Sequence, residues 1–274
     1  SHIAGIFSYV FRRDELYRDP WIEWCLSVCI WYLRRTFMKD IDLTITMPVY
    51  NVERYLHQSI KSVLHAKWGK YSYEVIVIDD GSTDGSSRIM DEYKAFPQVR
   101  TVRQKNQGLI AAREYAISLA KGKYITFLDS DDWVSAEYFL SLLDFCIRND
   151  LDIVVGSFLK SFQNIEIPEI HYDREYIFSR EEALQELFAW NFFRWELCSK
   201  IYRKEIISNI AIDRGIRSGE DCARNFYAFQ RAKRIGYIPV CGYHYRQRAS
   251  SMTQKGKLLS YQALVSHVLE KISS

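Results

Sequence analysis

Three aspartates, Asp129, Asp131 and Asp132, directly follow an apolar run, residues 124–128. Carboxylates this close repel one another, so we expect a cation beside them. Oxygen ligands with no His or Cys in the segment favour Mg²⁺ or Mn²⁺, which bind one or two carboxylates and keep positions for phosphate oxygens. The segment therefore indicates a metal-assisted diphosphate site. The alternative is an acidic turn that caps the next helix.

Polar residues stand at three other places where an apolar run ends. They are Tyr50 with Asn51, residues 79–82 (Asp-Asp-Gly-Ser) and residues 106–108 (Asn-Gln-Gly). Each segment would follow a strand, and ligands of open α/β sheets bind beyond the carboxyl ends of the strands. Four polar strand ends at one sheet edge favour a common site over four unrelated turns.

Strands and helices alternate along residues 42–157, which predicts an α/β protein with a mostly parallel sheet. Residues 75–78 (Val-Ile-Val-Ile) are apolar at successive positions, as in a strand covered by helices on both faces. The predicted strands are 43–47, 73–78, 99–103, 124–128 and 152–157, and the predicted helices are 52–64, 86–93, 110–120 and 136–149. Further on, Ser179 and Glu182 form a capping box that predicts the start of another helix.

The composition excludes several classes of protein. Of the 274 residues, 48% are hydrophobic and 26% are charged, which is typical of a globular protein. The formal net charge of +3 is too small to favour a nucleic-acid partner. Six cysteines occur without a C-x-x-C pair, which predicts reduced thiols in a cytoplasmic protein.

Both ends of the chain are rich in apolar residues. The run 24–33 is too short to span a bilayer and belongs to a helix predicted over residues 20–37. Residues 255–272 place five apolar residues at helical spacing, which predicts an amphipathic terminal helix. Packing onto the protein is the simpler expectation for both helices. The alternative is peripheral contact with the inner face of the membrane.

Seven short segments carry a family resemblance. They are 47–51 (Met-Pro-Val-Tyr-Asn), 77–84 (Val-Ile-Asp-Asp-Gly-Ser-Thr-Asp), 106–113 (Asn-Gln-Gly through Ala-Arg), 127–132 (Phe-Leu-Asp-Ser-Asp-Asp), 198–202 (Cys-Ser-Lys-Ile-Tyr), 219–221 (Gly-Glu-Asp) and 243–246 (Tyr-His-Tyr-Arg). In this order and spacing they resemble the family 2 glycosyltransferases of the GT-A fold, over residues 38–253. The last three are similar to acceptor-side signatures of bacterial members that build surface and capsular polysaccharides.

The resemblance implies a Rossmann-type, mostly parallel sheet sandwiched by helices, with a smaller acceptor-side lobe. Combined with the apolar ends, it predicts four parts. These are an N-terminal helical extension (1–37), a nucleotide-sugar-binding subdomain (38–157), an acceptor-binding subdomain (158–253) and a C-terminal amphipathic helix (254–274).

The resemblance also implies contacts with the nucleotide. Asp80 would accept a hydrogen bond from the base imide of a uridine diphosphate donor. Its alternative is an Asx-type turn that begins at Asp80. Pro48, Tyr50 and Asn106 would contact the nucleotide, although Pro48 equally suits a simple strand end. Arg113 would reach the nucleotide or brace the acidic residues, and a solvated surface arginine is its alternative.

Metal and catalytic roles follow from the same resemblance. Asp131 would be the direct ligand of Mn²⁺ or Mg²⁺, and Asp129 would approach the ribose or, through water, the ion. Asp221 would act as catalytic base with Glu220 as its orienting neighbour, although two carboxylates that open a helix also suit its dipole.

Two further residues receive weaker assignments. Lys200 would hold the acceptor or a phosphate, and its alternative is a solvated lysine. His244 would supply a further ligand to the ion, and its alternative is a structural histidine.

Together these assignments predict a metal-dependent, inverting glycosyltransferase. It would move a sugar from a nucleotide diphosphate donor, a UDP-sugar, to a hydroxyl of a glycan or lipid-linked acceptor in cell-surface polysaccharide synthesis. The alternative is a non-catalytic nucleotide- or carbohydrate-binding component of a polysaccharide assembly complex.

Overall fold

Alternate side chains of the strand β2 (Tyr73–Asp79) enter two separate hydrophobic cores. Val75 and Val77 lie in one core and Ile76 and Ile78 in the other, and none of the four is exposed to solvent. The prediction of a strand covered on both faces is therefore confirmed. The computed structural model describes residues 40–169, 172–189, 193–213 and 219–247.

Ten strands form one sheet within the described residues. Besides β2 they are β1 (Leu43–Val49), β3 (Val99–Arg103), β4 (Tyr124–Phe127), β5 (Trp133–Val134), β6 (Ile153–Ser161), β7 (Glu166–Glu169), β8 (Tyr176–Ser179), β9 (Lys200–Arg203) and β10 (Arg234–Arg246). Their order is β3-β2-β1-β4-β9-β6-β10-β5, with β7 paired to β6 and β8 to β10. The first four strands in this order are parallel, and β9 runs antiparallel to both of its neighbours.

Helices cover both faces of the sheet. They are α1 (Glu53–Leu64), α2 (Ser86–Glu92), α3 (Leu109–Leu119), α4 (Tyr138–Arg148), α5 (Arg180–Ala189), α6 (Lys204–Ile207) and α7 (Glu220–Arg231). Most buried apolar residues of α1, α2 and α4 belong to one core, and most of those of α3, α5, α6 and α7 belong to the other. The α/β sandwich and the helices predicted in residues 52–149 are confirmed.

The predicted capping box at the start of α5 is also confirmed. Glu182 Oε2 accepts a hydrogen bond from the backbone N–H of Ser179 at 2.8 Å, and the N–H of Glu182 donates to Ser179 Oγ at 3.4 Å. These reciprocal bonds satisfy two donors that the first helical turn leaves unpaired.

One sheet crosses the predicted boundary between the two subdomains. The predicted boundary between residues 157 and 158 falls inside β6, and β9, from the second half, pairs with β4 and β6 of the first. Thr126 Oγ1 also donates to the carbonyl of Lys200 at 2.7 Å. The backbone groups along the edge of β4 need partners, and β9 supplies them, so the second half completes the first sheet.

The predicted extension (1–37) and the predicted terminal helix (254–274) lie outside the described residues. Among the helices that the structure does describe, none combines the length and the apolar character needed to cross a membrane.

Candidate functional site

One buried arginine joins the two acidic segments. Arg113, on α3, is 3% exposed. Its Nη1 lies 2.5 Å from Asp221 Oδ1 and 3.3 Å from Glu220 Oε1, while its Nη2 lies 3.1 Å from Asp129 Oδ1. The alternative of a solvated surface arginine is therefore wrong. Arg113 pairs with carboxylates of both acidic segments, and its contact with a nucleotide stays a prediction.

The fold brings these residues together from three distant parts of the chain. Asp129 follows β4 closely, whereas Glu220 and Asp221 form the first turn of α7, after Gly219 in a left-handed conformation with φ +92°. Helices α3 and α7 contribute to the same core. This packing sets Arg113 of α3 beside the first turn of α7. The start of α7 also favours the two carboxylates, because the helix dipole is positive at that end.

Burial makes the cluster costly to ionise fully. It raises the pKa of Asp129 and of Glu220, and in both cases Arg113 opposes the rise while Asp221 adds to it. Burial also raises the pKa of Asp132 well above its usual value, with Asp129 and Asp131 adding to the effect. Several carboxyl groups thus lie close together with their ionised forms disfavoured, and a bound cation would stabilise those forms.

Asp132 holds the acidic loop in place. It is 1% exposed and accepts hydrogen bonds from the hydroxyl of Tyr243 and the backbone N–H of Arg246, both at 2.8 Å. Arg246 Nε donates to the carbonyl of Asp131 at 2.6 Å. The resemblance marked residues 243–246 as an acceptor-side signature, and no local sequence pattern indicates that two of them position the loop.

Asp80 shapes the loop between β3 and α3. It is 4% exposed and accepts hydrogen bonds from Gln104 Nε2 at 2.7 Å, from the backbone N–H of Gln107 at 2.9 Å and from that of Gly108 at 2.8 Å. Its contact with a base imide stays a prediction, and Oδ2 retains capacity for a second donor. The side chain that bonds the following turn is that of the neighbouring Asp79, whose Oδ1 accepts from the N–H of Ser82, three residues on, at 2.8 Å.

The ends of β1 and β2 are joined to each other. Asn51 has φ +51°, and its Oδ1 accepts from the N–H of Thr83 at 2.8 Å. Beside this contact Tyr50 is 50% exposed, and Asn106 is exposed in the next loop. Pro48 is buried within β1, so of Pro48, Tyr50 and Asn106 the last two present a side chain at the surface. Their contact with a nucleotide stays a prediction.

Lys200 is not the solvated lysine that one alternative required. Its side chain is 1% exposed on β9, and its Nζ donates to the carbonyl of Glu196 at 2.5 Å. Burial lowers the pKa of Lys200, while Cys198, Glu196 and Asp221 act in the opposite direction. In this arrangement the ammonium group is not presented to an acceptor or a phosphate, because the sheet and the preceding segment enclose it.

His244 has a protein partner at both ring nitrogens. Nδ1 lies 2.7 Å from Glu166 Oε1, Nε2 lies 2.8 Å from Ser135 Oγ, and the ring stacks on Trp133. The pairing of β10 with β5 sets His244 opposite Trp133, which explains the stack. A ring nitrogen would have to leave its partner before it could bind a metal ion, so the structure favours the structural alternative.

Substitution of Gly81 tests the contact between the loops that follow β2 and β3. It has φ +75°, and a Cβ there would lie 2.8 Å from the backbone nitrogen of Asn106. We expect Gly81→Ala to displace the loop and weaken UDP binding about tenfold, because the substitution adds a collision to the 1–2 kcal/mol conformational cost. Isothermal titration calorimetry measures the affinity.

Gly69→Ala is the matched control. Gly69 also has a positive φ, +56°, but a Cβ there would meet only the flexible Leu140 side chain at 3.2 Å. This variant should lose melting temperature and keep its UDP affinity. Equal UDP affinities in the two variants would contradict a role for the Gly81 contact.

The sheet and its covering helices define a GT-A-like fold. The structure of Staphylococcus aureus TarS residues 1–349 in complex with UDP-GlcNAc aligns with a TM-score of 0.69, at 21% sequence identity, over 80% of this chain and 62% of that chain. The chain belongs to glycosyl transferase family 2, whose sequence model matches residues 44–211.

Two curated bacterial relatives extend the similarity. The uncharacterized glycosyltransferase EpsJ of Bacillus subtilis is 32% identical over 225 residues, which are 77% of this chain and 63% of that protein. The minor teichoic acid biosynthesis protein GgaB of the same organism is 31% identical over 224 residues, which are 80% of this chain and 24% of that protein. The match thus spans less than two thirds of the length of either relative.

Proposed function

We propose that the chain is the catalytic module of an inverting glycosyltransferase that moves a sugar from a UDP-sugar to a hydroxyl of a glycan or lipid-linked acceptor. The observation that carries the proposal is the bond network of Arg113. It links Asp129, on the predicted donor side, to Glu220 and Asp221, on the predicted acceptor side. A transferase needs donor and acceptor groups within reach of each other, and this cluster supplies both.

The choice of donor and acceptor rests on the relatives. TarS was crystallised with UDP-GlcNAc, and GgaB is named for teichoic acid biosynthesis. A UDP-sugar donor and a cell-surface polymer are therefore the substrate classes that we propose for this chain. We further propose that the reaction takes place in the cytoplasm, at the inner face of the membrane when the acceptor is lipid-linked.

The acidic loop fits a divalent cation. Asp131 and Asp129 offer hard oxygen ligands, and the Asp129 side chain is 32% exposed. Within the described ranges no group of three or more His, Cys, Asp and Glu is arranged to hold an ion alone. Mg²⁺ and Mn²⁺ suit such a site, because they bind one or two carboxylates and complete their shell with phosphate oxygens and water. When bound, the ion stabilises the charge of the departing diphosphate.

We assign to Asp221 the role of general base. In the proposed reaction the acceptor oxygen bonds to the anomeric carbon, the bond from that carbon to the diphosphate oxygen breaks, and Asp221 takes the proton of the acceptor hydroxyl. Arg113 holds Asp221 Oδ1 and so fixes the orientation of the carboxylate. A single displacement of this kind inverts the configuration at the anomeric carbon.

Calorimetric titration with UDP tests the proposal. We expect UDP to bind at least about tenfold more tightly with Mn²⁺ than without it, because an ion held by Asp129 and Asp131 would offset the negative charge of the diphosphate. ADP carries the same diphosphate and is the control for recognition of the base. Failure of UDP to bind under either condition would refute the proposal. Binding without hydrolysis or transfer of any UDP-sugar would instead favour the non-catalytic alternative.

A further inference from the structure

Asp221 receives a second hydrogen bond, from the main chain. The backbone N–H of Leu197 donates to Asp221 Oδ2 at 3.3 Å, while Arg113 holds Oδ1. Residues 195–197 belong to no helix or strand, so no regular backbone pairing fixes this N–H. The orientation of Asp221 therefore depends on whatever holds the segment 195–197.

Two buried side chains hold that segment by its carbonyl groups. Lys200 Nζ donates to the carbonyl of Glu196 at 2.5 Å. Asn225 Nδ2 donates to the same carbonyl at 3.3 Å and to that of Trp195 at 2.6 Å. Lys200 is 1% exposed and Asn225 is not exposed at all. Both donors are therefore shielded from competing water, which strengthens their electrostatic effect.

The geometry of α7 links these carbonyl contacts to Asp221. Asn225 lies four residues after Asp221, so the two side chains share one face of the helix. The hydroxyl of Tyr202 donates to Asn225 Oδ1 at 2.7 Å, which directs the amide nitrogen toward the segment. Helix α7 thus forms hydrogen bonds with residues 195–197 from two positions one turn apart.

The carbonyl of Glu196 and the N–H of Leu197 belong to a single peptide group. Because resonance couples the two, donors on the carbonyl oxygen increase the positive charge on the N–H and make it a stronger donor. We propose that Lys200 is a positioning residue that acts on Asp221 through the peptide 196–197. The inference rests on the proposed role of Asp221 as base.

The burial of Lys200 supports a role beyond stability. An ammonium group without solvent costs free energy that an apolar side chain of similar length would not. Burial accordingly lowers the pKa of Lys200. A buried ammonium group that costs stability is expected where function requires it. Lys200 is such a group, and it bonds to the peptide that contacts the proposed base.

Lys200→Met tests the inference, because it removes the donor and keeps much of the side-chain shape. We expect kcat to fall about 10- to 100-fold through misorientation of the base, with the donor KM and the UDP Kd unchanged within about twofold. The melting temperature should hold or rise, because the buried charge is gone. Lys200→Gln retains an N–H donor without the charge and should give an intermediate kcat.

Two further variants separate positioning from general damage to the fold. Lys204 Nζ also donates to a main-chain carbonyl, that of Ala120, at 2.6 Å. Lys204→Met is the matched control and should keep the wild-type kcat. Tyr202→Phe removes the single hydroxyl that directs Asn225, and it should lower kcat less than Lys200→Met does, again with an unchanged donor KM.

A spectroscopic measurement follows the peptide itself and needs no turnover. Labelling with ¹³C-carbonyl glutamate and ¹⁵N-leucine selects the Glu–Leu peptides, which occur at 15–16, 186–187 and 196–197. Leu197→Met identifies the third signal by its loss. In Lys200→Met the Leu197 amide proton should move upfield, because its N–H becomes a weaker donor.

The two measurements keep the inference separate from the proposed function. A wild-type protein that binds UDP and transfers no sugar would defeat the proposed function, and an upfield shift in Lys200→Met would still establish the coupling of Lys200 to the Leu197 amide. An unchanged amide shift would overturn the inference. So would an equal loss of kcat in Lys204→Met, or a fall of UDP affinity and melting temperature along with kcat in Lys200→Met.

Discussion

Replacement of Asp221 by asparagine should give a folded protein that binds UDP and Mn²⁺ but transfers almost no sugar. The amide has the shape of the carboxylate, and its one oxygen can still accept the shorter of the two bonds to Asp221, that from Arg113 at 2.5 Å, while the weak bond from Leu197 at 3.3 Å is lost. It cannot take a proton from the acceptor hydroxyl. We expect kcat to fall by about 10² to 10⁴, the contribution typical of a general base, with the UDP Kd unchanged within about twofold.

Glu220→Gln is the informative comparison for this variant. Glu220 neighbours Asp221 on the same helical turn, and its Oε1 lies farther from Arg113 Nη1, at 3.3 Å against 2.5 Å. As an orienting neighbour Glu220 should tolerate the change with a smaller loss of kcat. Retained turnover in Asp221→Asn together with loss in Glu220→Gln would assign the role of base to Glu220.

Features that depend on local periodicity could be predicted from the sequence. The four successive apolar residues 75–78 indicated a strand between two helical layers, and Ser179 with Glu182 indicated a helix start. Both follow from contacts within a few residues or from a repeating pattern, so the side-chain types alone specify them. The acidic loop after β4 was equally visible, because carboxylates directly after a buried strand stand out.

The partners of individual site residues could not be predicted in this way. His244 contacts Ser135 and Glu166, which are 109 and 78 residues away in sequence. The first contact depends on the pairing of β10 with β5, and the second on the pairing of β6 with both β10 and β7. Burial of Lys200 likewise depends on the insertion of β9 between β4 and β6. Residue type gives the chemistry a side chain can perform, whereas strand order decides which partners it meets.

Arg113 also bonds to residues distant in sequence, and its loss should therefore lower the stability of the fold substantially. Its three carboxylate partners lie 16 to 108 residues away, so its removal separates parts of the fold that no local contact joins. Arg113→Met would leave Asp129, Glu220 and Asp221 without their shared cation. We expect a loss of about 3 kcal/mol, at the low end for a broken buried pair because the carboxylates are partly exposed.

The loss should be measurable as a melting temperature about 6 to 12 °C lower, together with loss of transfer activity. Arg203→Met is the matched control, because Arg203 also bonds two carboxylates, Asp152 at 2.9 Å and Asp150 at 2.8 Å. It should lower the melting temperature and keep UDP binding and kcat. Equal activity losses in the two variants would mean that Arg113 serves the fold alone.

The pH dependence of the Arg113→Met defect has a definite sign. Burial already raises the pKa of Asp129 and Glu220 in the folded protein, and Arg113 is the group that opposes the rise. Without Arg113 both pKa values rise further, so the two carboxyls bind protons even more tightly in the folded than in the unfolded chain. Stability is then lost as the pH rises above the ordinary carboxyl pKa of about 4 toward the folded value. The melting-temperature difference between Arg113→Met and wild type should therefore be larger at pH 8 than at pH 5. A difference that stays constant or grows toward pH 5 would mean that the carboxylates of the cluster do not depend on Arg113 for their charge.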